Sequence, residues 1–188
     1  MPAVADALRP HLDVPFALFG HSMGALVVFE LTRELRRRRV PLPVLLAVSG
    51  HEAPQRPDPD PPIAHLPDAE FIRELRARYD GIPEQVLAEQ ELLQLLLPVL
   101  RADVLLMESY VYGDEPALEC ALSCYGGEQD RHVGREDLEA WREQTRGPFT
   151  LRVFPGGHFF IESARDAVLK ALREDLLPSI GAADGLRA

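Results

Sequence analysis

The chain alternates between short, uniformly apolar runs and longer stretches with apolar residues three and four apart. Phe16-Ala17-Leu18-Phe19 and Val44-Leu45-Leu46-Ala47-Val48 have no polar face, which suits parallel strands buried on both sides. Between them, Ala25 to Leu35 has helical periodicity, and Pro41 and Pro43 end it. Strand, helix and strand in this order build a parallel sheet with a right-handed crossover. Two further strands are predicted over Leu118–Tyr125 and Phe149–Phe154, with a helix over Arg135–Thr145 between them and a closing helix over Ala164–Leu177. A short amphipathic helix over residues 4–12 opens the chain, and the tail from Ser179 is expected to fray.

The rhythm breaks between the second and third strands. Residues 51–67 hold Pro54, Pro57, Pro59, Pro61, Pro62 and Pro67, too many for regular structure, so an exposed loop is expected. From Asp68 to about Tyr112 the pattern is helical. Asp68 serves as N-cap, Phe71, Ile72 and Leu75 share one face, residues 86–100 are leucine-rich, and Asp103–Tyr110 continues in register. An all-helical insert in a parallel sheet reads either as a plain crossover or as a lid. The proline loop and the surplus of apolar residues favour a lid over about 52–112, within a single domain covering 1–188.

The chemistry concentrates where the first strand meets its helix. Gly20-His21-Ser22-Met23-Gly24 matches G-x-S-x-G, a turn that presents a serine nucleophile. Gly20 and Gly24 are both expected there to let the strand and helix backbones approach without a Cβ clash. Active groups on parallel sheets lie past the carboxyl ends of strands. Ser22, Asp130 and His158 each follow a different strand, in the order Ser, Asp, His. Ser22 would then attack, His158 would take its proton, Asp130 would orient the imidazole, and the N–H of Met23 would donate to an oxyanion. Other candidates rank lower. His21 is expected to point away from Ser22 and pack behind it, His132 to lie at the surface, and His51 to line the site. Asp103 and Asp114 fall in or after the insert rather than at a strand end.

Composition narrows the partners. The formal charge of -10, from 30 acidic and 20 basic residues, argues against nucleic acid, which needs a basic footprint. No apolar run approaches a membrane span, and the N-terminus lacks a basic-apolar leader, so a soluble cytoplasmic protein is expected. Cys120 and Cys124 would share one strand face, too far apart to bridge and without nearby histidine ligands. They read as buried free thiols, and no cofactor or metal is expected. Arg36-Arg37-Arg38-Arg39 sits at a helix C-terminus, where cations meet the negative dipole end; a docking patch for an acidic partner is the alternative.

Together the segments Gly20-His21-Ser22-Met23-Gly24-Ala25, Ser49-Gly50 with Ala53-Pro54, Leu100-Arg101-Ala102-Asp103, Gly126-Gly127-Glu128-Gln129-Asp130-Arg131-His132-Val133, Trp141 and Gly156-Gly157-His158-Phe159-Phe160 resemble the type II (external) thioesterases of polyketide and nonribosomal peptide assembly lines. These belong to the α/β-hydrolase superfamily. The resemblance implies an α/β-hydrolase-like parallel sheet flanked by helices, with a helical lid after the second visible strand. It implies hydrolysis of stalled or aberrant acyl groups from the phosphopantetheine arm of an acyl or peptidyl carrier protein, with Ser22, Asp130 and His158 as the catalytic residues. Family members begin with an earlier block that supplies the first strands and a second oxyanion N–H. This chain starts at the helix before the elbow strand, so N-terminal strands are expected to be missing. The elbow strand would then lie at an edge, open to a homodimer. A general carboxylesterase and an inactive carrier-binding module are the competing expectations.

Overall fold

A computed structural model describes residues 1–57, 60–79 and 89–185. The chain divides into two compact units, one formed by residues 1–56 and 115–188, the other by residues 57–114.

The first unit is built on a four-stranded parallel sheet in the order β1 (Ala17–His21), β2 (Leu45–Ser49), β3 (Ala121–Gly127), β4 (Phe149–Phe154). All five residues of β2 are buried, as an apolar run without a polar face requires. Helix α1 (Pro2–Leu8) precedes β1, and α2 (Met23–Arg37) follows it. On one face, α2 brings Phe29 edge-on to Trp141 at 5.3 Å, and Leu138 of α5 (Arg135–Glu139) lies against Gly126. On the other face, Ala47, Tyr125 and Phe154 pack with Phe160 of α6 (Phe160–Ser163) and with Val168 and Ala171 of α7 (Arg165–Gly185). Successive residues of a strand face opposite sides, which is why Tyr125 and Gly126 meet different layers. Register pairs His21 with Ser49 and Ser49 with Tyr125, so the ends of β1, β2 and β3 form one row.

Among the described residues β1 pairs only with β2. The Val44 N–H donates to the Phe16 carbonyl, and the Ser22 N–H donates to the Ser49 carbonyl. Even-numbered residues therefore face β2, and the N–H and C=O groups of Ala17, Phe19 and His21 face the open edge.

Three local expectations change. The third strand starts at Ala121 rather than Leu118 and runs on through Gly126 and Gly127. Leu118 makes only a single bridge to Thr145, and Cys120 lies before the strand, so the two cysteines do not share a strand face. Both are buried, and burial pushes the Cys120 thiol up to about 11 and the Cys124 thiol higher still. The two glycines stay in the strand because a Cβ at Gly127 would meet the Gly157 carbonyl oxygen at 2.3 Å. The helix after Asp130 tightens into a 3-10 turn over Ala140–Gln144. Finally, α7 does not fray at Ser179: it continues past Pro178 to Gly185, and the Ser179 hydroxyl donates to the Asp175 carbonyl at 3.3 Å.

The second unit holds α3 (Asp68–Tyr79) and α4 (Gln90–Glu108) around Ile63, Phe71, Leu75, Leu97 and Val104. Helix α4 joins the leucine-rich run and the Asp103 segment into one element with Pro98 inside; residues 86–88 of that run lie outside the described residues. The Arg101 guanidinium lies 4.5 Å from the Phe71 ring centre and donates to the Asp68 carboxylate at 2.7 Å.

Candidate active site

Strand β1 ends at His21 and α2 begins at Met23, so Ser22 alone makes the turn. It does so at φ 54° and ψ -127°, a conformation costly for any residue with a side chain. Its N–H donates to the Ser49 carbonyl at 2.7 Å, and its own carbonyl accepts the Ala25 N–H at 2.8 Å. A Cβ at Gly20 would lie 2.0 Å from the Gly24 carbonyl oxygen, so strand and helix touch there. The expectation for Gly24 fails: a Cβ there would meet nothing within 4 Å among the described residues. The close approach is one-sided, because the first turn of α2 offers its backbone to Gly20 and its open flank to Gly24.

His158 follows β4 on the turn Pro155-Gly156-Gly157, with Gly156 at φ +122°. Gln129 braces that turn: its N–H donates to the Gly156 carbonyl at 2.9 Å, and its side-chain oxygen accepts the Gly156 N–H at 2.5 Å. The two loops are thereby locked, and Asp130 is carried to His158. His158 Nδ1 lies 2.9 Å from Asp130 Oδ2, and His158 Nε2 lies 3.0 Å from Ser22 Oγ. An ionised Asp130 can only accept, so Nδ1 carries the proton and Nε2 is left to accept from the Ser22 hydroxyl. The His158 and Asp130 side chains are 4% and 1% exposed. Burial alone would raise the Asp130 pKa, but hydrogen bonds from His158 and from the His132 and Val133 N–H groups outweigh it and hold the carboxyl below its usual value. The structure thus brings Ser22, His158 and Asp130 into one hydrogen-bonded line, suited to proton transfer from a nucleophilic hydroxyl. Met23 opens α2, so its N–H is among those a helix leaves without an internal partner, at the positive dipole end.

The Thioesterase domain family matches residues 2–176. The chain belongs to this family. It is 44% identical over 176 residues to a Brevibacillus parabrevis protein named linear gramicidin dehydrogenase LgrE, covering 92% of this chain and 66% of that one. It is 43% identical over 181 residues to the gramicidin S biosynthesis protein GrsT of Aneurinibacillus migulanus, covering 94% and 70%. Among solved structures, it superposes on RedJ, a thioesterase of the prodiginine biosynthetic pathway in Streptomyces coelicolor, with a TM-score of 0.85 and 38% identity over 93% of this chain and 69% of RedJ. The chain spans about two thirds of the length of these relatives.

The remaining candidates take other places in this thioesterase domain. His21 lies against His158, with ring centres 5.1 Å apart, and its Nδ1 is 2.9 Å from Ser49 Oγ. His51 is half-buried and donates through Nδ1 to the Glu52 carbonyl at 2.8 Å, while its own carbonyl accepts the Trp141 indole N–H at 2.8 Å. His132, expected at the surface, is half-buried and serves Asp130 through its backbone. Asp130, not Asp103 or Asp114, takes the place beside His158. Ser49, Gly50 and Gln129 support the site; they lie in segments that carry the family resemblance, but neither spacing nor resemblance gave them a role. Of the arginine run, three members are occupied by carboxylates: Arg36 by Glu115, Arg37 by Glu34 and Glu115, and Arg38 by Glu34 and Asp6. That weakens the docking-patch expectation. Among the described residues no cluster of three or more His, Cys, Asp or Glu is placed to hold a metal, and no helix is long and apolar enough to cross a membrane.

Proposed function

We propose that this chain is a serine thioesterase that hydrolyses acyl groups from the phosphopantetheine thioester of acyl or peptidyl carrier proteins in the cytoplasm. The observation that carries the reading is the Ser22–His158–Asp130 line, with contacts of 3.0 and 2.9 Å. Ser22 Oγ attacks the thioester carbonyl as its proton passes to His158 Nε2. The oxyanion is received by the Met23 N–H, and Asp130 stabilises the imidazolium. Collapse expels the pantetheine thiolate, which takes the proton from His158, and leaves an acyl ester on Ser22. Water, deprotonated by His158, then cleaves that ester to the free acid and restores Ser22. The names of GrsT and RedJ speak of gramicidin S and prodiginine biosynthesis, which supports carrier-bound substrates for this chain. The dehydrogenase in the name of LgrE is not followed, because a serine hydrogen-bonded to a carboxylate-oriented imidazole is built for acyl transfer. The same reading includes self-association of two copies along β1.

The test is release of a short acyl group from a loaded carrier protein, followed by intact mass. Ser22→Ala is expected to lower the rate at least about 1,000-fold, the usual range for loss of a triad nucleophile. Release at the wild-type rate would remove the proposal. Faster cleavage of a matched oxygen ester would favour a general carboxylesterase, and carrier binding without fluorophosphonate labelling of Ser22 would favour a binding module.

A further inference from the structure

His21 presents an oddity that the proton line does not use. It is a half-buried imidazole whose Nε2 is buried and has no hydrogen-bond partner among the described residues. An apolar side chain of similar volume would avoid that unsatisfied group. The surroundings have nevertheless been shaped for this ring. Ser49, at the end of β2, holds its Nδ1 at 2.9 Å. Gly50, at φ +60°, leaves the space it fills, since a Cβ there would sit 2.6 Å from His21 Cε1. On its far side the ring rests on His158, with centres 5.1 Å apart and planes tilted by 49°. Phe159 meets His158 edge-on, also at 5.1 Å, and lies 5.9 Å from His21, so the His158 imidazole rests against two rings that also touch each other.

Ser49 also accepts the Ser22 N–H through its carbonyl at 2.7 Å. One residue therefore anchors the nucleophile through its backbone and, through its hydroxyl, the ring on which the base rests. We propose that His21, oriented by Ser49, is a positioning residue that holds His158 in the line between Ser22 and Asp130. This rests on the hydrolase reading above. Burial, with the neighbouring His158, brings the His21 pKa down to about 4, so the ring stays uncharged beside the imidazolium formed during proton transfer. A polar but neutral ring is what the position needs: the hydroxyl bond fixes its rotation, and the missing charge spares His158 a repulsion.

The test combines steady-state hydrolysis of a carrier-bound or small acyl thioester with the rate of fluorophosphonate labelling of Ser22. His21→Ala is expected to lower kcat about 10- to 100-fold with KM within about twofold, and to slow labelling in parallel, because alignment rather than substrate binding is lost. The double variant His21→Phe with Ser49→Ala restores a ring without the hydroxyl bond that fixes its rotation, and is expected to recover only part of that loss; full recovery would overturn the role given to Ser49. Labelling of His21→Ala at the wild-type rate, or a raised KM with unchanged kcat, overturns the proposal. If His21→Ala fails to fold, Ser49→Ala decides alone, since it keeps the ring and frees its rotation. Slower labelling at an unchanged melting temperature supports positioning, and wild-type labelling overturns it. Failure of Ser22→Ala to stop hydrolysis would instead strike the hydrolase reading itself, so the two failures are distinct.

Discussion

Ser22 keeps its strained dihedrals because its neighbours leave it no alternative, and Gly20 is the tightest of them. A methyl at Gly20 would overlap the Gly24 carbonyl, at 2.0 Å, with backbone on both sides and nothing flexible to yield. Gly20→Ala is therefore expected to destabilise by about 3 kcal/mol or more. Gly24→Ala has open space and a helical position, so it is expected to be neutral or to stabilise by up to about 1 kcal/mol. Thermal melts of the two variants check the asymmetry, and equal losses would refute it. His21 supplies a second prediction at this scale. Its pKa is about 4 when folded, against 6.5 for the free side chain. Between those values the unfolded chain binds a proton that the folded chain refuses. This contribution to stability is thus complete above about pH 6.5 and is lost as pH falls toward 4. Burial is the main cause; a cationic His158 or His51 adds to the refusal, and Asp130 opposes it. Allowing for partial exposure, the loss amounts to roughly 2 kcal/mol. Urea titrations at pH 7 and 4.5 should show it in the wild type and not in the His21→Phe, Ser49→Ala double variant.

At the scale of elements, the sequence carried what periodicity can carry. β1 and β2 follow from apolar runs, β4 occupies the expected Phe149–Phe154, and α2 follows from its helical spacing between the elbow and two prolines. The end of β3 escaped because glycine reads as a breaker, whereas Gly126 and Gly127 are there to let Leu138 and the Gly156–Gly157 turn come close. The extension of α7 escaped because Pro178 reads as a stop, and no local pattern shows that the helix continues beyond it. Strand ends also suffice to bring Ser22, Asp130 and His158 forward as a set. The Ser49–His21 contact could not be read, since it joins residues 28 apart through register alone. The arginine run shows the same limit: Glu34 is local to it, but Glu115 and Asp6 come from elsewhere in the chain. Glu115 pairs with Arg33, Arg36 and Arg37 at 3.0, 2.6 and 2.6 Å, and the Arg33 side chain is only 3% exposed. Glu115→Ala removes one carboxylate from that buried guanidinium, which keeps Glu30 at 2.7 Å. The expected loss is roughly 1–2 kcal/mol, shrinking at high salt for the exposed part of the network. Denaturation at low and high ionic strength measures both.

At the scale of the whole molecule, the proposed self-association rests on the side of β1 that no strand pairs among the described residues. Ala17, Phe19 and His21 direct backbone N–H and C=O groups outward, Phe19 is 41% exposed, and Val14 just before the strand is 57% exposed. Among the described residues no strand or helix covers this apolar edge, and such an edge is a template for another strand. A second copy fits without new chemistry: antiparallel pairing of an edge with itself is two-fold symmetric, so each bond made by one chain is repeated by the other. The two sheets would then join into one of eight strands, since each chain contributes four. Light scattering should give twice the 21.0 kDa chain mass. Ala17→Pro removes only an outward N–H at the first strand position, where proline is tolerated, and Phe19→Lys adds charge on the exposed face. Together they are expected to return the mass to one chain while leaving the β1–β2 bonds in place. A single-chain mass for the wild type at working concentration would exclude this pairing. A dimer that survives both changes would move the interface away from β1.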